Sequence, residues 1–204
     1  MEQQQRSERF YNELNHRRSV REFSDRPIPD GVLENIIKTA STAPSGAHKQ
    51  PWMFAVVKSP EMKRKIREAA EKEEYENYHG RMNDEWLKDL EKFHTNWHKP
   101  FLEIAPALIV LFKKTYDLDE EGRKKNYYVN ESVGIAAGML ITALHYSGLV
   151  TLTHTPSPLN FLAKLLNRPE NEKPFLLLPV GFPVENAEVP ILKRKDLNEI
   201  MVSY

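Results

Sequence analysis

Cysteine is missing from all 204 positions. Its absence excludes disulfides, thiolate nucleophiles, iron–sulfur clusters and cysteine-based zinc sites, so redox chemistry here needs a bound organic cofactor. Net charge is missing as well: 29 Lys and Arg offset 29 Asp and Glu, which leaves no global field to gather nucleic acid or an anionic membrane. The expected partner is a small molecule. There is no repeat, no low-complexity tract and no G-x-G-x-x-G dinucleotide fingerprint. No apolar run reaches the roughly 18 to 20 residues that cross a bilayer. Met1 to Arg9 is polar and charged, without the pattern of a signal peptide or anchor, and the expected setting is cytoplasmic. Eight glycines against fourteen prolines, with 28% charged residues, fit a rigid surface rich in ion pairs. The length suits one domain spanning residues 1–204.

What is present centres on Thr42-Ala43-Pro44-Ser45-Gly46-Ala47-His48-Lys49-Gln50-Pro51-Trp52. Pro44 disfavours helical geometry at Ala43 and Gly46 permits backbone angles other residues resist, so N–H groups from Ser45 to His48 are free to face an anion or a flat polar ring. An ordinary helix-to-strand turn is the competing reading. Upstream, His16-Arg17-Arg18-Ser19-Val20-Arg21 packs three arginines beside a hydroxyl. Planar guanidinium groups suit bidentate contacts to phosphate oxygens, although the same arginines could pair with Glu8, Glu13 and Glu22.

Phe10 and Leu14 mark a first short helix. Asp30 is the expected N-cap of a helix over 31–43, with Val32, Leu33, Ile36, Ile37 and Ala40 at helical spacing. Met53 to Lys58, Ala107 to Lys113, Leu149 to Thr153 and Phe175 to Phe182 read as strands. Residues 61–76 and 78–97 read as charged helices outside the core, either a mobile cover over a cleft or a solvated hairpin. His94 and His98 are spaced to share a helix face, but no third metal ligand is evident and no metal is expected. Residues 115–125 read as a polar loop, and 130–146 as a central buried helix whose Gly134, Ala136, Ala137 and Gly138 admit a close neighbour. Helices alternating with apolar strands indicate an α/β or α+β sheet with a helical covering.

Arg17-Arg18-Ser19, Pro44-Ser45-Gly46 before a strand and Lys193-Arg194-Lys195 near the end together resemble the FMN framework of the nitroreductase superfamily, over nearly the whole chain. Within it, the sequence resembles the iodotyrosine deiodinases of soluble bacterial or archaeal type. That likeness rests on Ala43-Pro44-Ser45-Gly46-Ala47-His48, on Glu74, Tyr78 and Lys99, on Thr95-Asn96-Trp97, and on Pro190 to Lys195.

The resemblance implies an α+β nitroreductase-like fold, a central mixed β-sheet surrounded by helices, in an intertwined homodimer with flavin at the interface. It implies that Arg17, Arg18, Ser19 and Arg194 hold the phosphate and pyrimidine ends of FMN, with Pro44 and Ser45 at the turn. Thr155 is the implied catalytic residue, its hydroxyl by flavin N5, where a hydrogen bond favours two one-electron steps over hydride transfer. Where the family often carries a run of threonines, His154 interrupts it here, so Thr153 and His154 are expected to meet the flavin through backbone atoms. Residues 71–99 are the implied lid: Glu74 takes the ammonium of a halotyrosine, Lys99 its carboxylate, Tyr78 a hydrogen bond beside them, and the N–H of Ala47 the phenolate. The implied reaction converts iodotyrosine to tyrosine and iodide. The electron donor stays open between NAD(P)H and a flavin- or ferredoxin-type reductase, and the rival function is a general nitroaromatic or quinone reductase.

Overall fold

The computed structural model describes residues 1–204. Its elements in chain order are α1 (Glu2–Asn15), α2 (Val32–Ser41), β1 (Trp52–Val57), α3 (Pro60–Glu76), α4 (Asp84–Glu91), α5 (Phe101–Ile104), β2 (Ala107–Lys114), β3 (Tyr116–Asp119), β4 (Gly122–Lys125), α6 (Val129–Tyr146), β5 (Val150–Thr151), α7 (Phe161–Leu165), β6 (Glu172–Gly181) and α8 (Leu197–Ile200). Strand β2 is the spine. Ala107 to Phe112 are all buried, and a strand covered on both faces needs no polar side, which is why its sequence is continuously apolar. Leu108, Val110 and Phe112 face one helical layer with Ile66 and Ala70 of α3, Phe101 and Leu102 of α5 and Leu162 of α7. Ala107 and Ile109 face the other, with Leu33, Ile36 and Ala40 of α2 and Leu140 and Leu144 of α6.

The main sheet has strand order β1-β2-β6-β5, with each neighbouring pair antiparallel. A parallel bridge from Ser19 to Thr151 adds the other direction and makes the sheet mixed. That bridge sets the arginine-rich segment against the edge strand that leads into Thr153-His154-Thr155.

Several local expectations are corrected. Asp30 does not cap α2: Gly31 is the N-cap in left-handed geometry, φ 79°, with no side-chain cap hydrogen bond, so the helix starts at Val32. Residues 115–125 are not a loop, because β3 and β4 form a hairpin in which Asp117 faces Lys124 and Lys124 reaches Asp119 at 2.6 Å. Cross-strand charges replace the apolar alternation that marks most strands. The charged segment 61–99 is not wholly outside the core, since Ile66, Ala70, Glu74, Asn77 and Lys99 are buried. Its helix also stops at Glu91, short of Trp97, and His94 adopts φ 48°. His94 and His98 therefore share no helix face. Finally, α6 is buried on one side only: Ile135 is 45% exposed, and a Cβ on Gly134 or Gly138 would meet nothing within 4 Å.

Candidate functional site

Glu74, Tyr78 and Lys99 are brought together from the end of α3, the widened turn Asn77–Arg81 and the segment leading into α5. Helix α3 starts firmly: Pro60 occupies its first turn and the Ser59 hydroxyl accepts the Met62 N–H. Its far end is tied to the following loop by Glu71, whose Oε1 accepts the Lys99 backbone N–H at 2.7 Å and Arg67 Nε at 3.0 Å. Lys99 is thus fixed relative to Glu74 although 24 residues intervene in the numbering. Its Nζ donates to Thr95 Oγ1 at 3.1 Å and to the Asn96 carbonyl, lies 5.4 Å from the Tyr78 ring centre, and faces Glu74 Oε2 at 3.8 Å.

Both charges are almost fully buried, Glu74 at 7% and Lys99 at 4% exposure. Burial pushes the Glu74 carboxyl up from its ordinary value, against the pull of the Lys99 ammonium. Burial pushes Lys99 down, opposed by Glu74 and reinforced by the Arg21 guanidinium. Desolvation also raises Tyr78, opposed by the neighbouring Thr95 hydroxyl. An ion pair held in such a place is costly unless something else shares its charges. Chemically it is matched to a zwitterion, which brings one opposite charge for each.

Sequence reasoning did not place Arg21 and the His154 side chain in this cluster. Arg21 is half-buried, with its guanidinium 5.6 Å from the Phe93 ring centre, and its charge acts on Tyr78, Lys99 and His154. No pattern within 16–23 distinguishes it from Arg17 and Arg18. For His154 a signal existed, the alternation of strand residues: Thr153 and Thr155 are exposed while His154 between them is buried. Burial, with the Lys99 and Arg21 charges, lowers His154 to about 3. Its ring is therefore expected to remain neutral by NMR from about pH 5 to about pH 8, where an ordinary histidine titrates. The unfolded chain binds this proton near the ordinary value and the folded one does not. The stability from the site is thus complete above that value and is lost as pH falls toward about 3. A ring titrating near its ordinary value would place His154 outside the interior.

A second cluster joins Arg17, Arg18 and Arg194. Arg194 donates to the Asn15 side chain at 2.7 Å and to the Arg17 carbonyl at 3.2 Å, and Arg18 donates to the Pro190 carbonyl, pinning the C-terminal segment to the first loop. Of the three glutamates that offered an alternative, Glu13 lies by His145, Glu22 accepts the Glu188 N–H, and Glu8 forms no ion pair with these arginines. Burial, then the charges of Arg194 and Arg18, lowers Arg17. Cations crowded without an acid partner form an anion site.

The turn at 44–47 stands apart, with no hydrogen bond or ion pair to either cluster. Ala47, His48 and Gln50 all have positive φ, 49°, 56° and 47°. Gly46 donates to Ser132 Oγ, His48 to the Ser45 carbonyl and Gln50 to Ser45 Oγ, while the Ala47 N–H has no acceptor within the chain. Gly46 is required by close approach, because a Cβ there would lie 2.9 Å from the Tyr127 oxygen and 2.9 Å from Tyr128 Cδ2. No group of three metal-ligating side chains occurs, and no helix is long and apolar enough to cross a membrane.

The chain whose sheet and arginine cluster are described above matches the model of the Nitroreductase family over residues 14–182. Iodotyrosine deiodinase of Haliscomenobacter hydrossis is 64% identical over 98% of this chain and 90% of its own length. That of Danio rerio is 54% identical over 97% of this chain and 68% of its own. Among solved structures, oxidised iodotyrosine deiodinase bound to FMN and 3-iodo-L-tyrosine superposes with TM-score 0.84 at 30% identity, covering 96% of this chain and 98% of that one. A nitroreductase-like protein of Streptococcus mutans shares the fold at TM-score 0.71 and 20% identity, over 97% and 98% of the two chains. The chain belongs to the nitroreductase family and, within it, to the iodotyrosine deiodinases.

Proposed function

We propose that this protein is an FMN-dependent oxidoreductase that removes halogen reductively from halotyrosines, with iodotyrosine giving tyrosine and iodide. The observation that carries the reading is the buried Glu74–Lys99 pair with Tyr78 beside it. A zwitterionic amino acid inserted there exchanges one strained ion pair for two, ammonium on Glu74 and carboxylate on Lys99. Tyr78 and Thr95 then hold the polar rim, and residues 71–99 act as the lid. The 64% identical bacterial relative supports the assignment.

The arginine cluster fits FMN: a phosphate dianion satisfies the crowded guanidinium groups that nothing in the chain neutralises. Arg17, Arg18, Ser19 and Arg194 would hold its phosphate and pyrimidine ends, Pro44 and Ser45 its turn side, and Thr155 its ring edge, with Thr153 offering backbone; the His154 N–H, expected to meet the flavin, is instead taken by the Leu177 carbonyl. When bound, the flavin supplies two electrons that, with one proton, replace the carbon–halogen bond by carbon–hydrogen and release halide. The free Ala47 N–H is a donor suited to a phenolate oxygen, and a halogen lowers the phenol's pKa, so the site favours halotyrosine over tyrosine. The electrons would come from NAD(P)H or a flavin- or ferredoxin-type reductase.

Two copies would form the working unit, around single domains spanning 1–204. Helix α1 has no buried residue, with Phe10 54% exposed, and Ile200, Met201 and Val202 of the tail are all exposed. These apolar surfaces, the open face of α6 and the isolated turn at 44–47 are accounted for by a second copy. Sedimentation equilibrium is expected to give twice the chain mass; a monomer at every concentration would rule this out.

The function is tested by anaerobic halide release from iodotyrosine by the dithionite-reduced, FMN-loaded protein, with 2-iodophenol as the comparison lacking the zwitterion. Rapid release from iodotyrosine is expected. No release, with nitroaromatics still reduced, would return the protein to the general nitroreductases.

A further inference from the structure

His154 has a side chain to which the reaction as derived gives no task. Its backbone pairs with Leu177 in both directions, at 2.8 and 3.2 Å, so the position of the ring follows from the sheet register. Phe101 packs against the ring edge-on with centroids 5.6 Å apart, and the residue is 6% exposed. The imidazole therefore has little freedom to turn away. Its Nε2 is buried without a hydrogen-bond partner, and it faces Glu74 Oε1 at 3.9 Å while the other oxygen, Oε2, faces Lys99 at 3.8 Å. The carboxylate is flanked by an ammonium on one oxygen and a ring nitrogen on the other.

A neutral imidazole carries its single proton on either nitrogen, and a hydrogen-bond neighbour decides which. A lone pair on Nε2 aimed at a carboxylate is repelled; an N–H there is attracted. The present 3.9 Å is about 1 Å too long for a hydrogen bond. Lys99 holds Glu74 on the far side, and a substrate that draws Lys99 onto its own carboxylate releases that hold.

We propose that His154 is a positioning residue for substrate recognition: with its proton on Nε2 it closes onto Glu74 Oε1 as Lys99 leaves, and fixes the carboxylate in the orientation that receives the substrate's ammonium. This rests on the reading that Glu74 binds that ammonium. The closure gives a buried donor its acceptor at the moment the substrate arrives, so part of the affinity for the zwitterion comes from a residue that never touches it. Lys99, the other side chain within ion-pair distance of Glu74, is the group the substrate's carboxylate draws away, which leaves this role to His154.

The test uses the FMN-loaded enzyme with His154→Leu and His154→Gln, each alone and combined with Glu74→Gln, measuring KM and kcat for iodotyrosine and 2-iodophenol. In His154→Leu the KM for iodotyrosine is expected to rise about tenfold, the equivalent of one hydrogen bond to a charged group, with a much smaller loss on iodophenol. His154→Gln, which keeps an N–H donor, recovers most of that loss. In the Glu74→Gln background His154→Leu adds nothing, because the two residues act as one unit. Equal losses on both substrates, or additive losses with Glu74→Gln, overturn the inference. Nitrogen-15 NMR of the unsubstituted protein provides a measurement independent of variant folding: a proton on Nε2 is expected, and a proton on Nδ1 overturns the proposal. Wild-type enzyme releasing no iodide overturns the functional reading instead; release with KM unmoved in His154→Leu overturns this inference alone.

Discussion

Lys99→Ala is expected to raise the KM for iodotyrosine by roughly 10- to 100-fold, the equivalent of the ~1.5–3 kcal/mol carried by a hydrogen bond to a charged group. The loss on 2-iodophenol, which has no carboxylate, should be far smaller, and the ratio of the two is the measurement. A general nitroaromatic reductase would show no such ratio. The same residues should also reveal a conflict between binding and stability. Glu74 has a raised pKa, so its contribution to stability is complete below the ordinary carboxylate value and lost as pH rises. Lys99 has a lowered one, so its contribution is complete above the ordinary lysine value and lost as pH falls. At neutral pH both sit on the unfavourable side. Glu74→Gln with Lys99→Met is thus expected to melt no lower than wild type without substrate, while each single change leaves one buried charge unpaired and melts lower. A double variant less stable than both singles would show that the pair stabilises the free protein and is not held in tension for the substrate.

Arg17→Gln should reverse sign between apoprotein and holoprotein. In the apoprotein, Arg17 is disfavoured by burial and by the charges of Arg194 and Arg18, so its removal relieves repulsion and the melting temperature should rise slightly. With FMN, one charge-assisted contact to phosphate is lost, and the flavin dissociation constant should rise about 10- to 100-fold. Thermal melts with and without added FMN, together with the flavin content after gel filtration, check both arms. Equal flavin retention by variant and wild type would remove Arg17 from the phosphate site. A lower apoprotein melting temperature would show that its backbone neighbours depend on the guanidinium for packing.

Both effects depend on charges gathered from distant stretches, and there the sequence was unevenly legible. Strand β2 was clear because a strand buried on both faces writes its burial as an unbroken apolar run. The β3–β4 hairpin was not, because its pairs are charged and resemble a loop. The break after Glu91 was hidden because side-chain bonds hold that segment, with Lys99 and Glu71 supplying contacts that no periodicity encodes. The polar face of the lid looked solvated for the same reason: composition counts Glu74 and Lys99 as surface charges. Only their family resemblance marked them for attention.

By itself, the sequence determined that any redox chemistry needs an organic cofactor, that no global field recruits a macromolecule, that one strand is buried on both faces, and that a proline–glycine turn precedes β1. These follow from which residue types are present and from their near neighbours. The tertiary structure decided which charges share a dry pocket, why Arg17, Arg18 and Arg194 stand without acids, and that His154 turns inward while Thr153 and Thr155 stay outside. Desolvation and pairing depend on distances through space, and residues 74, 99 and 154 acquire those distances only when the sheet and its covering helices have closed around them.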